Sequence, residues 1–250
     1  MMQLHVNKQP PEHPPAVAAP ARTAARPLAG LTVLVVEDSR VASEAVRLIC
    51  LRSGARIRRA DCLASARRHL ATYRPAVVLV DMGLPDGDGA ELIRAIAHIA
   101  PRVPVILGIS GEPAARGRAL AAGAQDFLTK PVESVAVFQQ TILNALPEDA
   151  RPKGPRILPT ELVVPDAAAL RDDLAHAATL LEDGVERSDR TYLGRFVAGV
   201  ARSAHDAALE DAAEVMLSDQ ARSTDRASPM PAVHRLQALL RKRLSDLRAV

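Results

Sequence analysis

Between residues 31 and 146 the chain alternates short, continuously apolar runs with segments of helical periodicity, a pattern few folds accept. "LTVLVV" (31–36), "AVVLVD" (76–81) and "VPVILGIS" (103–110) are apolar at successive positions. Such strands expect cover on both faces. Two shorter strands are read in "RIRRA" (56–60) and within "QDFLTKP" (125–131). The intervening segments read as helices: "VASEAVRLICLRSG" ending at Gly54, "CLASARRHLATY" (62–73), "AELIRAIAHIA" (90–100), "PAARGRALAAG" (113–123) and "VESVAVFQQTILNAL" (132–146). Ser39 stands where a helix could start, and the 113–123 segment has proline at its start and glycine at its end. Five βα units in about 115 residues predict a doubly wound, five-stranded parallel sheet with helices on both faces.

Open sheets of this kind bind ligands at the carboxyl ends of their strands, beside the point where strand order reverses. This sequence places Glu37 and Asp38 after the first strand, Asp81 after the third, Ser110 after the fourth and Lys130 after the fifth. Three carboxylates sharing one crevice raise each other's pKa. A hard divalent cation removes that conflict, and Mg²⁺ takes oxygen ligands and suits a site completed by phosphate. Lys130 adds a positive charge and Ser110 a hydroxyl donor. The set fits an anion held covalently on Asp81, because a carboxylate can attack phosphorus to give an aspartyl-phosphate.

The stretches "VLVVEDSR", "VVLVDMGLPDGDG", "PVILGISG" and "DFLTKP", in that order, resemble the CheY-like receiver domain of bacterial two-component response regulators. The resemblance covers about Leu31 to Leu146 and implies a flavodoxin-like fold. It makes Asp81 the phosphoacceptor, Asp38 a direct Mg²⁺ ligand, Glu37 an acidic partner through water, and Gly83 the donor of a backbone carbonyl to the metal. Ser110 would bind the transferred phosphoryl group and Lys130 would pair with it. A cis peptide is expected between Lys130 and Pro131. Phe127 matches the aromatic whose rotation reports activation, with Phe where many relatives have Tyr. Phosphorylation would draw Ser110 toward the phosphate and let Phe127 turn inward, repacking the face of the 113–123 helix, last strand and 132–146 helix. Gly111 would leave the phosphoryl group accessible to water, and Glu112 and Gly83 hold the other positions that tune hydrolysis. Asp86 and Asp88 read as turn residues. The implied donor is a histidine kinase or histidine phosphotransferase. No enzymatic activity is expected beyond Mg²⁺-dependent self-phosphorylation and dephosphorylation.

Residues 1–30 are rich in proline and alanine and are expected to form a disordered arm, in which His5 and His13 are too isolated for a metal site. Residues 147–165 contain five prolines and read as a linker. The remainder, 166–250, reads as an all-helical output or dimerisation region. Its parts are a helix over 166–184 with Asp166 as N-cap and Gly184 as stop, one long helix or two over 188–223, and a basic amphipathic helix over 229–250. It holds no recognisable helix-turn-helix. His205-Asp206 lacks the further ligands of a metal-binding dyad, and His176 lacks a phosphotransfer motif around it. The 132–146 helix carries only one charged side chain, Glu133, and so offers an apolar face for the tail or a second subunit.

Output through protein–protein contact, with a partner or as a homodimer, is therefore expected. A DNA-binding tail and a tail histidine that passes phosphate stay open as alternatives. The net charge of +3 over 250 residues does not by itself point to nucleic acid. Cys50 and Cys62 match no metal spacing and read as reduced residues of a cytoplasmic protein. No apolar run has the length to span a bilayer, and prolines interrupt the N-terminus where a secretory signal would need a continuous apolar core.

Overall fold

A computed structural model describes residues 22–182, 187–222 and 230–247. The first part of the chain runs β1 (Thr32–Val36), α1 (Arg40–Ser53), β2 (Arg56–Ala60), α2 (Leu63–Thr72) and β3 (Val77–Asp81). A two-residue hairpin follows, β4 (Gly83–Leu84) and β5 (Gly87–Asp88). Then come α3 (Gly89–Ala97), β6 (Val105–Ser110), α4 (Ala115–Ala122), β7 (Asp126–Thr129) and α5 (Val135–Ala145). Five parallel strands pair in the order β2-β1-β3-β6-β7. With the hairpin set aside this is the flavodoxin-like order, and the chain reverses direction across the sheet between β1 and β3.

The apolar runs divide their side chains between two cores. Val33, Val35, Val77, Leu79, Leu107 and Ile109 pack with α1 and α5. Leu34, Val36, Val78, Val80 and Ile106 pack with α2, α3 and α4. Each fully buried Val or Leu contributes about 1.5–3 kcal/mol. That term explains why the three central strands alternate nothing: both of their faces are interior. β2 forms one edge, and Arg56, Arg58 and Arg59 there are exposed, so charge guards the open ladder.

Local chemistry sets the helix boundaries. Ser39 caps α1 by accepting from the Ala42 amide, and Gly54 closes that helix at φ 81°, a conformation glycine adopts without strain. Asp88 caps α3 and Ser134 caps α5, which leaves 132–134 outside the helix. Asp86 is more than a turn former, because its carboxylate accepts from the Leu63 and Ala64 amides at the start of α2. Cys62 caps the same helix rather than lying inside it.

The N-terminal arm departs from expectation over its last part. Residues 1–21 lie outside the described residues, but Leu28 is fully buried in the α1/α5 core and its amide donates to Ser53 O at 3.0 Å. Apolar packing thus holds a stretch that composition alone assigns to disorder. The linker has little regular structure apart from a 3₁₀ turn at Glu148–Ala150, and Leu162 bridges to Ser134 beside α5.

The remaining helices are α6 (Ala167–Glu182), α7 (Arg187–Ser203), α8 (Ala207–Arg222) and α9 (Met230–Asp246). The segment expected as one long helix or two is thus two helices over its described part, while Ser223 lies outside the described residues. They part at 204–206, where His205 takes φ 53° and Asp206 caps α8. Asp166 lies at the start of α6 as expected, accepting from the Ala168 amide, while Gly184 falls outside the described residues. The four helices share a third core built on Leu174, Leu193, Val197, Leu209, Met216, Leu236 and Leu240. Val41 of α1 belongs to that core, so the helical region is seated on the sheet domain.

Candidate functional site

The carboxyl ends of β1, β3, β6 and β7 bring Glu37, Asp38, Asp81, Ser110 and Lys130 to the lining of one cavity of about 170 Å³. One carboxylate oxygen from each of Glu37, Asp38 and Asp81 lies within 4.8 Å of the others. Lys130 Nζ stands 2.7 Å from Glu37 Oε2 and 2.8 Å from Asp81 Oδ2. The Gly83 amide donates to Asp81 Oδ1 at 3.4 Å, and Ser110 Oγ accepts from the Glu112 amide at 3.1 Å. The Lys130–Pro131 peptide is cis, as is Ala100–Pro101.

Charge is unbalanced here. Glu37 and Asp81 are buried, and one ammonium serves both. Burial raises the Asp81 carboxyl above the ordinary carboxylate range; Lys130 works against that shift and Asp38 adds to it. Burial raises Glu37 further, with Asp81 and Asp38 reinforcing it against Lys130. For Lys130 burial alone would lower the pKa, but Asp81, Glu37 and Asp38 outweigh it and hold the amine protonated. Among the described residues Glu37 Oε2 has no aligned hydrogen-bond donor despite its nearness to Lys130. Three carboxyl groups around one amine carry an excess of negative charge and are a donor set that a hard divalent cation fits.

Phe127, on β7, is buried, with 6% exposed, and its Cδ2 atom lies 3.0 Å from where a Cβ on Gly108 of the neighbouring strand would stand.

The helical region forms the roof of the cavity, through Arg195, Phe196, Ala198, Gly199 and Arg202 of α7 and Glu214 and Leu217 of α8. The Tyr192 hydroxyl donates to Asp38 Oδ2 at 2.6 Å. Burial, then the Asp38 charge, pushes the phenol far above its ordinary pKa, so it stays a donor. Arg195 Nε pairs with Glu112 Oε1 at 2.7 Å. Asp173 of α6, buried, accepts from Ser39 Oγ at 2.8 Å, the Arg40 amide at 2.9 Å and the Val41 amide at 2.9 Å. A carboxylate from the tail thus caps α1 beside the acidic cluster, where the helix dipole favours it.

Gly111 is not open to solvent in the way its missing side chain implies. A Cβ there would lie 2.7 Å from both Cζ and Nε of Arg202. The guanidinium occupies that space. None of these tail residues was singled out for the site by motif. The available signal was an acid, Asp173, on the same helical face as Leu170, Leu174 and Ala177, and a tyrosine on the apolar stripe with Phe196 and Val200. Neither His176 nor His205 lines the cavity: exposed His205 pairs with Glu133 at 3.1 Å, and His176 packs edge-on against Phe196. Asp206 is engaged by Arg243 and by the start of α8 rather than by His205.

Residues 33–141 match the response regulator receiver domain family. The KDP operon transcriptional regulatory protein KdpE of Escherichia coli is 35% identical over 99 residues, covering 40% of this chain and 44% of that protein. The probable transcriptional regulatory protein TcrX of Mycobacterium tuberculosis is 31% identical over 138 residues, 54% of this chain and 58% of that one. Among solved structures, the receiver domain of sensor histidine kinase PA1611 from Pseudomonas aeruginosa, with magnesium coordinated in its active-site cleft, is 27% identical. The match covers 46% of this chain and 95% of that one, with a TM-score of 0.42. The chain spans about half the length of the curated relatives it matches. Residues 33–141 are a response regulator receiver domain, a CheY-like module of two-component systems. The helices beyond it lie outside the family match.

Proposed function

We propose that this chain is a response regulator of a two-component phosphorelay that accepts a phosphoryl group on Asp81. The observation that carries this reading is the convergence of Glu37, Asp38 and Asp81 with Lys130 at the strand ends. Asp38 and Asp81, Glu37 through water and the Gly83 carbonyl would hold Mg²⁺, whose charge offsets that of phosphoryl oxygens. In the transfer an Asp81 oxygen forms a bond to phosphorus while the donor's P–N bond breaks, and the donor nitrogen takes a proton. Lys130 keeps Asp81 oriented and remains protonated to pair with the phosphoryl group. Ser110 offers its hydroxyl to a phosphoryl oxygen. The donor is a histidine kinase or histidine phosphotransferase, and the cytoplasm is the compartment this chemistry fits. No described helix is long and apolar enough to cross a membrane.

The output reading is protein–protein contact through α6–α9, by a partner or a second copy of the chain. Its support is the roofing of the cavity by α7, which ties the acidic cluster to the helical region. A DNA-binding output has a different support: KdpE and TcrX are named as transcriptional regulatory proteins. Salt-dependent DNA binding by the full chain would favour that second output.

The test of the shared reading is phosphoramidate with Mg²⁺, followed by intact mass and peptide mapping. One phosphoryl mass on the peptide holding Asp81, lost in Asp81→Asn, is expected. Unmodified wild-type protein, or modification persisting in Asp81→Asn, would overturn it.

A further inference from the structure

We propose that Arg202, carried by α7, is a ligand of the phosphoryl group on Asp81, so that the helical region completes the receiver's binding site. The inference rests on the phosphoacceptor reading above. Arg202 lines the same cavity as Asp81, Ser110 and Lys130. Its guanidinium fills the space over Gly111, the residue next to Ser110. Glu210 Oε1 accepts from Nη1 at 3.0 Å and fixes the group from behind, with Glu214 further off at 4.0 Å. Nε, by contrast, is buried and has no acceptor among the described residues.

A buried guanidinium N–H without a partner is an unusual thing to keep beside an anion site. Arginine presents planar donors matched to phosphate oxygens, and its charge does not titrate away. The cavity also needs more positive charge once phosphorylated. Lys130 is already shared between Glu37 and Asp81, and a phosphoryl group adds negative charge to a cluster that has an excess of it. Arg202 supplies a cation from another element of the chain. Gly111 then has a reason to lack a side chain: a Cβ would displace the guanidinium. Binding of the phosphoryl group would thereby hold α7 against the receiver, giving the helical region a direct contact with the signal.

The test is ¹⁹F NMR of beryllofluoride, a phosphoryl mimic, bound to the full chain with Mg²⁺, comparing wild type, Asp81→Asn, Arg202→Gln and Arg202→Lys. Mg²⁺ affinity without beryllofluoride and thermal melting are measured on each. Arg202→Gln is expected to weaken beryllofluoride binding about fivefold or more, with Arg202→Lys between it and wild type, as loss of a charge-assisted contact requires. Mg²⁺ affinity should stay within about twofold of wild type. Unchanged beryllofluoride affinity in Arg202→Gln, or an equal fall in Mg²⁺ affinity, would overturn the proposal and leave Arg202 a packing residue. Failure of the wild-type protein to bind beryllofluoride at all would overturn the phosphoacceptor reading itself, and this proposal with it.

Discussion

Tyr192 and Asp38, 154 residues apart in the chain, meet in a 2.6 Å hydrogen bond in which the phenol donates to the carboxylate. The contact joins α7 to the acidic cluster, and it uses an oxygen of a residue proposed to bind Mg²⁺. Metal and phenol would therefore share one carboxylate. A hydrogen bond to a charged acceptor is worth about 1.5–3 kcal/mol, part of which Mg²⁺ must displace. Tyr192→Phe is expected to tighten Mg²⁺ binding by about threefold to tenfold, read by titration calorimetry. Equal affinities in the two proteins would mean that the phenol and the ion do not compete.

Asp173 makes a second junction between the two regions. Its removal leaves the Arg40 and Val41 amides without their carboxylate acceptor and exposes α1 to the loss of a cap. Asp173→Ala is expected to cost about 2–4 kcal/mol in urea unfolding, with the helical region separating in an earlier transition. A single transition at the wild-type midpoint would count against this junction.

Gly111→Ala tests the close approach of Arg202 from the other side. The added methyl needs the space within 2.7 Å of the Cζ atom, so the arginine has to move. Limited proteolysis in the 147–165 linker should become faster in this variant while the sheet domain stays folded. Overpacking of this kind costs about 1–3 kcal/mol. Identical cleavage rates in the two proteins would show that the guanidinium yields freely.

Asp206 gives the helical region an acid-sensitive fastening. Hydrogen bonding from Arg243 is the main cause that lowers its pKa below the ordinary aspartate value, partly opposed by burial. A carboxyl depressed in the folded state contributes stability that is present above the unfolded pKa, about 3.9, and lost as pH falls through the folded value. Melting of the wild-type helical region should therefore weaken below about pH 4, and Asp206→Asn should show a smaller dependence there. Parallel pH profiles for the two proteins would remove Asp206 from this role.

The sheet was legible because burial on two faces leaves a mark that no polar residue interrupts, as in Val33 to Val36. The acid cluster was legible because Glu37, Asp38 and Asp81 follow directly on such runs, where an unpaired charge is costly. Asp173 was not, since its acceptor role depends on amides 133 and 132 residues away in Arg40 and Val41. Tyr192 looked like any aromatic on an apolar stripe, and only the docking of α7 shows that its hydroxyl points elsewhere. Leu28 was hidden by a Pro/Ala-rich neighbourhood whose composition says nothing of one well-placed apolar side chain. Helix ends shifted by a few residues for local reasons, such as Ser134 capping α5.

Hydrogen exchange of the α7 amides, with and without Mg²⁺ and beryllofluoride, tests most directly whether the helical region senses phosphorylation at Asp81. Slower exchange across 195–203 on loading, absent in Asp81→Asn, is the predicted result. Unchanged or faster exchange there, with protection gained at 81–83 and 110–112, would contradict it.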